Sequence, residues 1–280
     1  MNEVLRATPA DAGWRAEVLQ KLSRVMDPEL DESVTDMNFI ASLDMDANAR
    51  VHVGFRLPTY WCAANFAFMM ADDMRQAVGE LPWVSGVSVT LGEHMYADKI
   101  NAGLAIGQSF AETFGSEATD NLDEVRHTFL VKAFQGRQDV LLTHLLAAGQ
   151  AAEGLLRWNI GDLTAVALDS VGDKLRGRYL DRRQVAGAFD KGSRAFTTEL
   201  GTPIAVENFE RHRRDLKRVR VNAEFNGALC RGLLNVRFDL TTPLPPRRGR
   251  KAACASPICD STTEPGTSVP GLPVTTPRQL

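Results

Sequence analysis

Hydrophobic positions along the first 95 residues follow two different spacings. In three short stretches apolar and polar residues alternate, which is typical of half-buried β-strands. These strands are expected at residues 38–46, 50–57 and 83–91. Spacings of three and four residues predict helices over 10–25 and 63–79. The order helix, strand, strand, helix, strand predicts a small two-layer α+β domain, with helices packed on a three-stranded sheet.

From residue 96 to residue 240 the strand pattern largely disappears, and helical spacing predicts an all-helical domain. The expected helices cover 97–114, 120–134, 139–157, a segment capped by Asp162, a weaker one over 182–196, and a last one that starts at Thr202-Pro203 and runs toward Asp239. Glycine lowers helix propensity, so a break of the last helix at Gly227 or Gly232 is conceivable.

Charge and proline content support these divisions. Residues 1–100 carry 8 Lys+Arg and 15 Asp+Glu, a balance of −7, whereas the rest of the chain carries 24 and 20, a balance of +4. Residues 241–280 hold 8 of the 13 prolines and almost no large apolar residues, which predicts a disordered tail. We therefore expect domains at residues 1–95 and 96–240, followed by this tail.

The overall composition excludes several classes of protein. A hydrophobic content of 44% and a charged content of 24% are those of a soluble globular protein, and no apolar run approaches a membrane span. No signal-peptide pattern is visible, and four scattered cysteines do not form a disulfide framework, so we expect a cytoplasmic protein. The basic segment 211–220 is interrupted by acidic residues and lacks aromatic ones, so neither nucleic acid nor membrane is expected as a partner.

Cys62 falls at the junction between the second strand and the helix that follows it. Pro58 and Thr59 suit a turn at this junction, since proline fixes φ and threonine is a capping residue. Free backbone N–H groups and the helix dipole bias a thiol at such a position toward thiolate, the form that binds metal or attacks electrophiles. Because Cys62 lies beside Trp61 and other apolar residues, the alternative is a small buried hydrophobe.

A second group of polar residues, Asp27-Pro-Glu-Leu30, ends the first helix and could meet Cys62 at one rim of the sheet. A thiolate beside carboxylates is a plausible site for a soft metal. Four segments in this order characterise the region: Asp27-Pro-Glu-Leu30, Ser33-Val34, Thr59-x-x-Cys62 and Leu81-Pro-Trp-Val-Ser-Gly-Val-Ser-Val89. Together they resemble the metal–sulfur (iron–sulfur) cluster assembly domain of SufT-like and PaaD-like proteins, here in a long two-domain version.

The resemblance implies an α+β fold and a role in the maturation of iron–sulfur or non-haem iron proteins. It implies that Cys62 is the functional thiol and metal ligand, with Asp27 close to it and Thr59 and Glu29 in the same site. The cargo would be a transient iron–sulfur cluster or iron, and the client a metalloprotein such as a di-iron monooxygenase. The sequence departs from the family pattern where Ala63 replaces the usual proline after the cysteine.

Two alternatives to this function stay open. A metal-free adaptor or chaperone of a multicomponent oxygenase could keep the same fold as a protein-binding module. An enzyme with Cys62 as nucleophile is disfavoured, because no histidine or asparagine can be assigned as its base; an assembly factor rather than a catalyst is expected.

The remaining metal-type residues give weaker signals. Glu124 and His127 lie three apart on a predicted helix, but a di-iron site needs a second such pair, so a solvated face is expected. Cys254 and Cys259 lack further ligands for zinc, and Cys230 has the spacing of a core residue. Because Cys62 would then be a lone thiol, iron binding is expected to need a homodimer or ligands from the client.

Overall fold

The computed structural model describes residues 9–118 and 121–240, with side chains from residue 13 onward. The first part of the chain contains α1 (Pro9–Leu22), β1 (Ile40–Met45), β2 (Arg50–Phe55), α2 (Ala64–Gly79) and β3 (Gly86–Leu91). The second part contains α3 (Ala97–Ala105), α4 (Phe110–Phe114), α5 (Leu122–Ala147), α6 (Ala152–Arg157), α7 (Ile160–Ala165), α8 (Ser170–Arg183) and α9 (Phe209–Phe238).

The sheet has the order β1-β2-β3. β1 and β2 form an antiparallel hairpin, whereas β2 and β3 are parallel and are joined through α2 as a βαβ unit. Along β2 the apolar residues Val51, Val53 and Phe55 are buried and the residues between them are partly exposed, so one face of the sheet packs on the helices. The predicted α+β class, with a three-stranded sheet followed by a helical region, is confirmed.

Several boundaries in the helical region differ from the prediction. α5 is one helix of 26 residues, although separate helices were expected on either side of residue 136. Gly136 lies where α5 meets α9, since a Cβ at this position would lie 4.0 Å from Arg220 Cα. The next residue, Arg137, is buried and forms an ion pair with Asp31 of the first region. Tertiary contacts thus stabilise the helix across a position with poor helix propensity.

The prediction of a weaker helix over 182–196 is wrong. α8 ends at Arg183, and after one 3₁₀ turn Gly187 adopts a positive φ of 94°, which ends helical structure. The following segment has no regular structure. Its backbone carbonyls are instead paired with buried side chains, for example Ala195 O with the hydroxyl of Tyr179 at 2.6 Å.

The last helix begins at Phe209 rather than at Thr202-Pro203, because Pro203 forms an isolated β-bridge with Thr197. It then runs for 30 residues without a break at Gly227 or Gly232. Its first half packs in a core formed with α5 and α8, and Leu234 in its second half packs in the core beneath the sheet. α9 therefore spans both hydrophobic cores.

The core beneath the sheet extends past residue 95. It includes Ile100, Leu104, Phe110 and Phe114 of α3 and α4. The domain boundary at residue 95 stays a prediction, and it cuts through this core. The prediction of disorder for 241–280, and the pair Cys254 and Cys259, lie outside the described residues.

Among the described residues, every helix is either too short or too polar to cross a membrane.

Candidate functional site

Cys62 lies on the connection between β2 and α2, as expected. It directly precedes Ala63, the N-cap of α2, which has no side chain to pair with the first N–H groups of the helix. The Cys62 thiol is half-buried, and its Sγ lies 3.0 Å from Thr59 Oγ1. The Thr59 hydroxyl can therefore donate a hydrogen bond to a thiolate at this position, which gives the predicted site residue Thr59 a definite contact.

His94 holds the Cys62 loop from the neighbouring strand. Because β2 and β3 are parallel, their carboxyl ends meet at one edge of the sheet, where His94 follows β3 and Cys62 follows β2. His94 Nδ1 accepts from Tyr96 N at 3.2 Å, and Nε2 donates to the backbone oxygen of Cys62 at 2.8 Å. A second bond joins Met95 N to Tyr60 O at 2.8 Å.

The His94 ring is buried, and this burial lowers its pKa, so it remains neutral near pH 7. The sequence analysis did not single out His94. Its position directly after a strand parallel to the one before Cys62 is the signal that could have found it.

Asp27 is buried at the end of the turn that follows α1. Its Oδ1 accepts hydrogen bonds from the backbone N–H groups of Glu29 and Leu30, both at 2.9 Å. Burial raises the pKa of this carboxyl to about 6, since the loss of solvation outweighs those two hydrogen bonds and the nearby charges of Glu29 and Glu32 add to the rise. Asp27 therefore exchanges a proton close to neutral pH.

Glu29 is exposed, unlike Asp27. Its Oε1 accepts from Asn226 Nδ2 of α9 at 3.1 Å. One turn further along α9, Arg231 forms an ion pair with Glu32. The predicted site residue Glu29 thus contacts the last helix as well as the turn that carries Asp27.

Cys230 of α9 also belongs to this site. At 100° per residue, Cys230 lies within about 40° of both Asn226 and Arg237 around the helix. Asn226 contacts Glu29, while Arg237 donates to Leu57 O at 3.2 Å, in the connection that leads to Cys62. The face that carries Cys230 therefore crosses the edge formed by the Asp27 turn and the Cys62 loop.

Electrostatics agree with this placement. Burial raises the pKa of the Cys230 thiol to about 11, and the negative charges of Asp27, Cys62 and Glu29 contribute to the rise. The prediction that Cys230 is a core residue is right in that it packs against the first core. The expectation that no other cysteine completes a metal site with Cys62 stays a prediction, although Cys230 lies near enough for the charge of Cys62 to act on its pKa.

The site does not contain a complete set of metal ligands. Across residues 9–118 and 121–240, no group of three or more His, Cys, Asp and Glu side chains is arranged to hold a metal ion. Cys62 and the nearby Cys230 are thiols, which are ligands for iron and other soft or borderline cations, but Asp27 does not complete a three-ligand group with them. Further ligands would have to come from the cargo itself or from another protein.

Beside the thiol the surface is apolar. Tyr60 and Trp61 are 52% and 72% exposed, and Met95, which is hydrogen-bonded to Tyr60 through its backbone, is 49% exposed. By contrast, Glu124 and His127 are simply exposed on α5, as expected for a solvated face. A separate cleft of about 610 Å³ lies between the first region and helices α5, α8 and α9; Glu29 lines it but Cys62 does not.

A comparison with known families supports the resemblance drawn from the motifs. Residues 15–91 match the family model described as iron-sulfur cluster assembly protein. The match covers about a quarter of the chain and contains Asp27, Glu29, Thr59 and Cys62, but not His94 or Cys230. No curated protein matches the chain. The family assignment therefore concerns the sheet region, and α9 adds Cys230 from outside it.

Proposed function

We propose that this protein takes part in iron–sulfur cluster assembly and carries iron or a cluster as cargo at Cys62. The observation that supports the proposal most strongly is the family match of residues 15–91, because the matched segment includes both Cys62 and Asp27. The hydrogen bond between Thr59 and the Cys62 sulfur supports a thiolate ligand in this role.

In this proposal Cys230 is the second thiol ligand. Its raised pKa keeps it protonated near pH 7, so it would coordinate only when a cation displaces its proton. Asp27, with a pKa of about 6, is largely ionised at that pH and near enough to act on the Cys230 thiol, so it could accept the released proton. When cargo binds, the proton of Cys230 would then pass to Asp27, so that Asp27 would not remain as an unpaired buried charge.

An incomplete set of protein ligands is better suited to transferring iron or a cluster than to storing it. With Cys62 and Cys230 as the protein ligands, coordination positions remain for sulfide or for side chains of an acceptor, because iron in iron–sulfur clusters is held by four ligands. The acceptor we propose is a client metalloprotein. A di-iron monooxygenase is the client implied by the long two-domain resemblance.

A metal-free adaptor is the second candidate. It is favoured by the exposed Tyr60 and Trp61 beside Cys62, since exposed aromatic residues are enriched in protein–protein interfaces. In that case the sheet region would bind the client as a protein module, and Cys62 would only pack in its loop.

Anaerobic reconstitution with iron and sulfide separates the two candidates. Cys62→Ser should lose iron content and charge-transfer absorption while its circular dichroism stays that of wild type, since serine fits the same turn. Cys230→Ser should lower iron retention in part. The matched control is the double variant Cys254→Ser/Cys259→Ser, which should retain iron. If Cys62→Ser binds iron and matures its client like wild type, the adaptor function replaces the assembly function.

A further inference from the structure

One face of α9 exposes a line of large apolar side chains. The line is formed by Val221, Phe225, Leu229, Leu233 and Val236. Phe225 is 68% exposed and Val236 is 85% exposed, although each lies on a well-formed helix of 30 residues. Spacings of three and four residues keep these side chains on one stripe, the pattern by which one helix packs along another. We call this the outer face of α9.

Gly232 lies on the same face, and none of the described residues packs against it. A Cβ at this position would meet nothing within 4 Å, so neither packing nor a turn requires glycine here. Glycine in a helix interior costs about 1 kcal/mol relative to alanine. The missing side chain at Gly232 is favourable only if a neighbouring helix approaches α9 closely at this position.

We propose that the outer face binds the outer face of a second copy of this chain, with the two α9 helices antiparallel and the two-fold axis between Ala228 and Leu229. This register places residue i opposite residue 457 − i. The large Phe225 then meets Gly232, and Leu229 meets Ala228, so the two central large side chains each face a small residue. Val221 faces Val236 of the other copy.

Charge complementarity selects the same register. Arg218 lies on the outer face one turn before Val221, and its side chain is 74% exposed. Asp239, which ends α9 as its C-cap, is exposed as well. In the antiparallel pair Arg218 faces Asp239 of the second copy at both ends of the contact. A parallel pair would instead place Arg218 beside Arg218, which is unfavourable.

The dimer leaves the cysteine site accessible. Cys230 lies about 140° from Phe225 around the helix axis, so it faces the Asp27 turn while Phe225 faces the second copy. The two sites of a dimer would thus lie on opposite sides of the helix pair. This inference is independent of the iron chemistry, because it uses no residue of the site.

Sedimentation analysis of the full chain tests the proposal. Wild type should sediment with twice the chain mass of 30.7 kDa at micromolar concentration. Phe225→Glu should weaken self-association by about 30-fold or more, as expected for a central aromatic anchor. The matched control is Leu200→Glu, which places the same charge at an apolar residue that is 81% exposed but lies outside α9. It should remain a dimer.

A charge exchange tests the register. Arg218→Glu and Asp239→Lys should each weaken the dimer, and the double variant should recover most of the loss because both ion pairs re-form with reversed sign. A double variant weaker than either single one would overturn the antiparallel pairing. A full chain that is monomeric at every concentration, or a dimer unaffected by Phe225→Glu, would overturn the proposal and leave the face to the tail or to another protein.

Discussion

The two hydrophobic cores differ in how they treat buried polar groups. In the core beneath the sheet, Asp27 is buried in the turn that follows α1, and His94 is buried against the Cys62 loop. In the core between α5, α8 and α9, the buried polar groups include Gln138, Tyr179 and Arg183. Both regions therefore bury groups that prefer water, but the partners of those groups are different.

In the second core the buried polar side chains donate hydrogen bonds to backbone carbonyls that are not part of a helix or sheet. Arg183 donates to Ala195 O at 3.1 Å and to Arg194 O at 2.7 Å, and Gln138 donates to Thr197 O at 3.0 Å. These carbonyls belong to the segment after α8, which has no regular secondary structure. The polar groups of this core stabilise a scaffold.

In the first core Asp27 has no cation beside it in the described structure, and its raised pKa shows that burial is unfavourable for the charged form. A buried carboxyl whose charged form is unfavourable, and whose charge acts on the thiol of Cys230, is a candidate functional group. Buried polar groups thus stabilise the scaffold in the second core, whereas in the first core they belong to the candidate functional site. Four predictions test this difference, from the largest effect to the smallest.

The largest effect concerns the boundary of the first core. A fragment of residues 1–95 lacks Ile100, Leu104, Phe110 and Phe114, each of which contributes about 1.5–3 kcal/mol through burial. Their sum approaches the whole stability of a domain. We expect residues 1–118 to fold and residues 1–95 to lack a cooperative transition in thermal circular dichroism. Equal midpoints for the two fragments would show that the boundary at residue 95 is correct.

The second prediction removes a cation from the scaffold. Asp139 is buried on α5 and its Oδ2 accepts from Arg220 Nε at 2.6 Å. Arg220→Ala leaves this carboxylate buried without its partner, which should lower the free energy of unfolding by about 3 kcal/mol. Urea denaturation measures the loss, and Arg211→Ala, an exposed position on the same helix, is the control. A loss equal to that of the control would show that Asp139 needs no counter-charge.

The third prediction concerns the loss of stability caused by the buried carboxylate of Asp27. The folded pKa of Asp27, about 6, lies above its ordinary value of 3.8, so the folded state binds the proton more tightly than the unfolded state. Asp27 therefore destabilises the protein above pH 6, and this penalty disappears as pH falls from 6 toward 4. Asp27→Asn, whose oxygen can still accept the two N–H bonds, should gain about 2 kcal/mol at pH 8 and little at pH 4.

Urea denaturation of wild type and variant at both pH values measures this gain. Asp36→Asn, at an exposed carboxylate whose charge does not contribute to the raised pKa of Asp27, is the control and should show no such pH-dependent gain. If Asp27→Asn is destabilised at pH 8, the carboxylate is a structural group like those of the second core.

The sequence could predict the sheet region well, because its elements follow from local patterns. Alternation at Val51, Val53 and Phe55 predicts β2, and the order of motifs around Asp27 and Cys62 predicts the family match of residues 15–91. The helical region was harder to predict. The continuity of α5 through Gly136 depends on packing against α9, which no local pattern contains.

The same limit applies to the site. Thr59 and Cys62 are three residues apart, so their contact follows from one turn. His94 contacts Cys62 only because β2 and β3 are adjacent and parallel, and Cys230 lies near Cys62 only because α9 crosses that edge. Tertiary pairing of this kind is set by the whole fold, which is why these two residues could not be found from spacing.

The smallest effect concerns His94, the group that holds the Cys62 loop. His94→Ala removes the donor to Cys62 O, so the loop should lose about 1–2 kcal/mol of local stability while the sheet stays intact. We expect a modest drop in melting temperature and faster alkylation of Cys62, read from the peptide by mass spectrometry. His127→Ala, at an exposed histidine on α5, is the control. Unchanged alkylation in His94→Ala would mean that Tyr60 and Met95, through their backbone bond, suffice to order the loop. His94 would then resemble the scaffold groups of the second core, and the contrast between the two cores would rest on Asp27 alone.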